Sequence, residues 1–243
     1  MVALAPEILF YIGKFPFTNT FLHTLIVDAL IIVGLIILNR TLKKIPDFFQ
    51  NTIEYGVDAF YGLTESVAGL KNTAKIFPWF MGFFVFILIS NFLALFPGWG
   101  TIGFYHGKDF VPLLRSAGSD LNFTLGLAII SAIATHTLAI KAVGLKTYLA
   151  RYFSFNPIYL FVGLLELVGE FTKIVSLSFR LFGNITAGEA VLTTISNLFA
   201  FVVPLPFIGL EMIVALVQAL VFAILTMAFM AILMTPHIEG GEH

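Results

Sequence analysis

The chain has 243 residues, 59% of them hydrophobic and 11% charged, with a mean hydropathy of +0.99, far from the averages of water-soluble domains. Thirteen Lys and Arg against fourteen Asp and Glu leave a formal charge of −1, so there is no bulk electrostatic case for nucleic acid or an acidic substrate. Zero cysteines exclude disulfides, thiolate metal sites, iron–sulfur clusters and cysteine nucleophiles.

At the N-terminus, Glu7 precedes any long apolar run and no Arg-rich, Ser-rich transit pattern follows, so the expected route into the membrane is through the chain's own spans. A hydrocarbon layer about 30 Å thick needs roughly 20 apolar residues per helix. The first window that qualifies runs from Phe21 to Leu38, with His23 and Asp28 near its start, and stops at Asn39 and Arg40. The segment 47–71 is too polar to cross. Its Phe49, Ile53, Val57, Phe60, Leu63, Val67 and Leu70 recur at steps of three and four, with Asp47, Glu54, Asp58 and Glu65 opposite, which predicts an amphipathic helix on the membrane surface or against a partner.

The second span, Ile76 to Phe96, carries no charge and stops at Pro97-Gly98. The third, Leu121 to Ile140, is interrupted only by Thr, Ser and His136, and ends at Lys141. Two further spans, 158–198 and 206–234, meet near Pro204 and Pro206, where an interior helix position is disfavoured. The expected architecture is all-α: one integral membrane domain over residues 1–243, five crossings, one surface helix, and a long tilted hairpin from the last two spans. Arg40, Lys43, Lys44, Lys71, Lys75, Lys141, Lys146 and Arg151 gather on one side, against Lys14, Lys108 and Arg115 on the other. Because Lys and Arg are retained in the cytoplasm, the N-terminus is expected outside and the C-terminus inside.

The last two spans hold six charges, although charge inside a span costs about 2.5–3.5 kcal/mol on insertion scales and persists mainly where it faces protein or a water path. At 100° per residue, Glu166, Lys173, Ser176, Arg180 and Asn184 share one helix face, while Glu189 projects from roughly the opposite face about 13 Å beyond Arg180. Arg180 and Glu189 cannot pair within a regular helix, so the pattern suggests two polar routes, one on either side of an arginine. Glu211 and Gln218 share a face of the final helix, two turns apart. Gly183 and Gly188 leave room for a neighbouring helix. The bland alternative is that Arg180 is neutralised by Glu166, Glu170 or Glu211 and merely holds the bundle together; a Glu170–Lys173 pair, three apart, is expected in either case.

No HExxH, GxSxG or paired-aspartate motif is present, and His136 is alone among the histidines in lying well inside a span, where a polar packing contact is the expected role. The tail His237 to His243 carries metal-ligand residue types but reads as a flexible end, and Asn-X-Thr matches at Asn39, Asn122 and Asn184 lie at or within spans. No cofactor and no metal are expected.

The run Ser176-Leu177-Ser178-Phe179-Arg180-Leu181-Phe182-Gly183-Asn184-Ile185-Thr186-Ala187-Gly188-Glu189, followed by Gln218 in a last apolar helix, resembles the signature of subunit a of F-type ATP synthases. Weaker pieces extend the likeness over nearly the whole chain: Ala5-Pro6-Glu7 with Phe15-Pro16-Phe17-Thr18-Asn19, Asn91 to Pro97-Gly98, and Ser119-Asp120-Leu121-Asn122. The resemblance implies a non-catalytic, proton-translocating stator subunit, one copy per complex, beside a c-ring of two-helix proteolipids and held by peripheral-stalk b-type subunits. A bacterial plasma membrane is the expected location, with an organelle inner or thylakoid membrane as the alternative.

It further implies that Arg180 faces the ring's ion-binding carboxylate, with Asn184 and Gln218 as polar neighbours and Glu189 and Glu211 lining the outer half-channel. Asn91, Asp120 and Asn122 resemble other outer residues, although Ala94 stands where some members carry an acid. Glu166 and Glu170 are placed toward the cytoplasmic half-channel, and Ser176 is a further half-channel residue. A self-contained channel or ion-coupled transporter is the rival expectation.

Overall fold

In the computed structural model, described over residues 7–96, 99, 102–106, 109–152, 157–198 and 203–235, the chain forms seven α-helices and two small hairpins. Strands β1 (Ile8–Ile12) and β2 (Phe15–Thr18) pair antiparallel around Gly13, whose φ of +66° is the left-handed conformation that suits glycine in a tight turn. Helix α1 (Asn19–Thr41) follows at once, capped by the Thr18 side chain, which accepts from the Phe21 N–H at 3.3 Å. Helices α2 (Phe48–Ala68) and α3 (Leu70–Ala94) meet at Gly69, φ +72°. Strands β3 (Gly103–His106) and β4 (Asp109–Pro112) form the second hairpin, and a 3₁₀ turn at Ala117–Ser119 leads into α4 (Leu121–Val143). A short α5 (Leu145–Tyr152), the 42-residue α6 (Pro157–Leu198) and α7 (Pro204–Met234) complete the chain.

Helices α1, α3, α4 and α7 are long and apolar enough to cross a membrane; α6 has the length, but its charges set it apart by composition. At 1.5 Å per residue α6 is about 63 Å long, twice the hydrocarbon thickness, so it cannot stand upright within the membrane. The two hairpins and α5 are additions to the sequence reading. So is the start of α3, which begins six residues before Ile76 because Leu70–Lys75 already wind as helix after the Gly69 break. Pro97-Gly98, Ala5, Pro6, Lys108, residues 199–202 and the tail from His237 lie outside the described residues.

The core sits between α3 and α7. Ile76, Phe80, Phe83, Phe84 and Ile87 of α3 meet Ala219, Phe222, Ala223, Met227 and Met230 of α7, with Leu177 and Leu181 of α6 closing one side. Lipid is as apolar as these side chains, so close packing, not expulsion from water, must hold such helices together. Ala215, Ala219 and Ala223, one turn apart and all buried, let α7 approach its neighbours. The Phe83 and Phe222 rings stand 5.6 Å apart across that contact. Buried hydroxyl pairs tie α4 to its neighbours: Ser131 to Thr226 at 2.9 Å and Thr124 to Ser178 at 3.1 Å.

Helix α2 lays Phe60 against Phe80 and Phe84, with ring centroids 5.7 and 4.9 Å apart, and Tyr61 against Phe77, so the middle of its apolar face is covered by this chain itself. Its N-terminal Phe48 and Phe49 stay exposed.

Because Ala219 is fully buried in this seam, Ala219→Leu should overpack it, costing about 1–3 kcal/mol. Thermal unfolding of the detergent-solubilised protein should show a lowered midpoint for Ala219→Leu and an unchanged one for Leu216→Ala, which is exposed on the same helix. Equal midpoints would show that the seam is not tightly packed.

Candidate functional site

Two cavities meet α6 along its length. The first, about 720 Å³, is lined by Asn184, Ile185, Glu189, Leu192 and Thr193 of α6, by Glu211, Ala215 and Gln218 of α7, and by Asn91 of α3. Glu7, Arg115 and Ser116 complete its wall from the segments around the hairpins. The second, about 430 Å³, is lined by Gly169, Thr172, Lys173, Ser176, Leu177 and Arg180 of α6, with Leu225 and Phe229 of α7. They share no lining residue. On α6 the change of cavity falls between Arg180 and Asn184, one helical turn, and on α7 between Gln218 and Leu225.

Arg180 is exposed and makes no hydrogen bond or ion pair with any described residue. The acids that could have neutralised it are committed elsewhere. Glu166 pairs with Arg151 of α5. Glu170 takes the Lys173 ammonium at 2.7 Å and lies 3.9 Å from His136 Nε2. His136 Nδ1 in turn meets the Tyr148 hydroxyl at 2.7 Å, and burial, helped by the Tyr148 hydrogen bond, pushes the Tyr152 phenol above its ordinary range. Glu166 and Glu170 therefore face α4 and α5 and are not among the residues lining the second cavity, whereas Ser176 is.

One turn beyond Arg180, Asn184 Nδ2 donates to Gln218 Oε1 at 2.6 Å, joining α6 to α7. The side-chain amide nitrogens of Gln218 and Asn91 are buried without a hydrogen-bond partner among the described residues, and both residues line the first cavity. Buried amides rarely go unpaired, so water in that cavity is their natural acceptor. Glu189 lies against the Ser119 hydroxyl, with the Arg115 guanidinium and the Glu211 carboxyl close by. Arg115 is itself held by Ser119, through Nε to Oγ at 3.2 Å and its terminal nitrogen to the carbonyl at 3.4 Å.

A Cβ at Gly188 would overlap the Glu211 carboxyl, so the glycine lets that side chain lie against α6 as it does; at Gly183 no atom of a described residue lies within 4 Å. Among the described residues, the room expected at both glycines is therefore used at Gly188 alone. Asp120 and Asn122 are not among the lining residues: Asp120 caps α4, accepting from the Asn122 N–H at 2.9 Å and from the Thr20 hydroxyl at 3.2 Å. Glu7, Arg115 and Ser116 were not singled out from the sequence as wall residues. The available signal was a cation five positions before Asp120 in a segment otherwise poor in Lys and Arg.

The contact at Gly188 yields a coupling test. Gly188→Ala should displace the Glu211 side chain and lower the thermal midpoint, while Gly188→Ala combined with Glu211→Ala should recover most of the loss. Additive losses in the double variant would show that the two positions do not touch.

The family model described as ATP synthase A chain matches residues 21–231. Among curated proteins, ATP synthase subunit a of Moorella thermoacetica (strain ATCC 39073 / JCM 9320) is 30% identical over 231 residues, covering 95% of this chain and 97% of that protein.

Proposed function

The chain belongs to the ATP synthase A chain family, as a membrane-sector subunit of a multi-subunit complex, and from that premise we propose that it conducts protons to and from a rotor along two offset half-channels. The observation that carries the reading is the handover of cavities at Arg180, an exposed cation with no acid among the described residues upon it.

The first cavity is the outer half-channel. Glu189, Glu211 and Asn91 form its polar wall, with Asn184 and Gln218 at its inner limit. The second is the cytoplasmic half-channel, reaching Arg180 past Lys173 and Ser176. The excess of Lys and Arg in alternate loops supports an N-terminus outside and a C-terminus in the cytoplasm, and a bacterial plasma membrane is the location this reading adopts.

The partner is a ring of two-helix proteolipids, each with a carboxyl at mid-membrane depth, and the stator is anchored by peripheral-stalk subunits. A rotor carboxyl can face hydrocarbon when protonated, because neutralisation removes most of the burial cost. Beside a fixed guanidinium the carboxylate is favoured instead. The rotor acid thus surrenders its proton at Arg180 into one cavity and has gained it from the other. With the cavities opening to opposite faces, an ion crosses by riding the rotor around nearly a full turn. Arg180 also repels a free proton from the short path between them.

Each elementary charge falling through 100 mV releases about 2.3 kcal/mol, which rotation carries to a distant catalytic head. A self-contained channel would need one lumen through this chain, and two cavities with no common lining residue do not supply it.

Lys cannot replace Arg180, since an ammonium is compact, strongly hydrated and able to lose its proton when buried. Arg180→Lys and Arg180→Ala are expected to abolish ATP-driven proton pumping by the reconstituted enzyme; wild-type pumping in either would refute the reading. Glu189→Gln is expected to slow translocation while the complex still assembles, and an unchanged rate would remove Glu189 from the path.

A further inference from the structure

Among the described residues, three acids stand in the wall of the first cavity: Glu189 on α6, Glu211 on α7, and Glu7, which precedes β1 and belongs to no helix. The Glu7 backbone is pinned to the start of α1. Its N–H donates to Asn19 Oδ1 at 3.3 Å, and its carbonyl accepts from the Asn19 N–H at 3.1 Å. Asn19 is fully buried, and its Nδ2 donates in turn to the Pro112 carbonyl at 3.3 Å, at the end of the hairpin from which Leu114, Arg115 and Ser116 enter the wall. Because Asn19 is the first residue of the first span, these bonds hold Glu7 at a membrane surface, at the end of α1 and not along its length.

That anchorage uses the backbone and leaves the side chain for something else. One Glu7 carboxyl oxygen is buried and has no hydrogen-bond partner among the described residues. Asn91 and Gln218, each 5% exposed, present unpaired amide nitrogens to the same cavity. Buried polar atoms left unpaired are costly, and water filling this space satisfies all three. Glu7 is therefore in contact with the water that reaches the inner limit of the cavity.

Its charge has a second consequence. The segments around the hairpins bring one cation to the wall, Arg115, and one acid, Glu7. Without Glu7 their fixed charge is positive, which repels protons where they enter; with it the cation is balanced, and a cleft lined by acids concentrates cations.

Resting on the reading of the first cavity as the outer half-channel, we propose that Glu7 is its entry carboxyl. The carboxylate takes a proton from the outer water, releases it to the cavity water on the way to Glu189 and Glu211, and offsets the field of Arg115 at the entrance.

The chain has no cysteine, so label on it reports an introduced one. In the assembled enzyme in membrane vesicles, Leu192→Cys in the cavity wall is to be labelled from the outer face with a cationic and with an anionic thiosulfonate of similar size. Glu7→Gln should lower the cationic-to-anionic rate ratio about threefold to tenfold, bracketing the effect of one unit charge about 4 Å away in water. Glu7→Asp should keep it. ATP synthesis by the reconstituted enzyme at limiting proton-motive force should fall by a similar factor in Glu7→Gln and recover in Glu7→Asp, with the same amount of complex assembled.

Slower synthesis with an unchanged label ratio would assign Glu7 a merely structural part and overturn the proposal. Labelling of position 192 from the outer face, with neither ratio nor synthesis altered by Glu7→Gln, would overturn it while the outer half-channel stands. Labelling from the cytoplasmic face alone would overturn both.

Discussion

A guanidinium that keeps its charge at every accessible pH, held on an exposed helix face with no acid among the described residues paired to it, is the constraint around which this molecule is arranged. Membrane charges ordinarily pair, and acids are near at hand on the same helix. Glu166 is taken by Arg151, and Glu170 by Lys173 with His136 behind it, so the acids in the first half of α6 are turned toward α4 and α5. Glu211 is held back against Gly188, in the wall of the other cavity. In the proposed mechanism this partition keeps the cation available to a carboxyl that arrives and leaves with the rotor.

The scaffold that holds the partition is stiff where the site needs it. Small residues on α7 and buried aromatic rings on α3 fix these two helices against each other. The Asn184–Gln218 bond then sets the register of α6 against α7 at the level where one cavity gives way to the other. The Asp120 cap and its bond to Thr20 fasten the start of α4 to α1, placing Ser119 and Arg115 beside Glu189. Asp120 thus bears on the first cavity through the segment it anchors.

What the sequence made legible follows from how strongly each feature is imposed by lipid. Long apolar windows predict helices whose observed limits, such as Leu121–Val143 and Pro157–Leu198, lie within a few residues, because every backbone polar group in a bilayer must be satisfied internally. The stripe on α6 was readable because mid-span charges are rare. The hairpins at Ile8–Thr18 and Gly103–Pro112 left no such mark: they are short, and their pairing answers to no periodicity over a long window. The second cavity shows the other limit. Helical spacing puts Glu166 on the face of Arg180, but it cannot reveal that Arg151, from the short helix just before α6, draws that carboxylate away.

The central claim is that the two cavities open to opposite sides of the membrane and meet only through a moving partner at Arg180. The most direct measurement is the side from which single cysteines react with a membrane-impermeant thiol reagent, in right-side-out and in inverted vesicles, made possible by the absence of native cysteine. Cysteines at Asn91, Val214 and Leu192, in the first cavity, should label from the outer face alone, and those at Thr172 and Ser176, in the second, from the cytoplasmic face alone. Labelling of both sets from the same face would contradict the account.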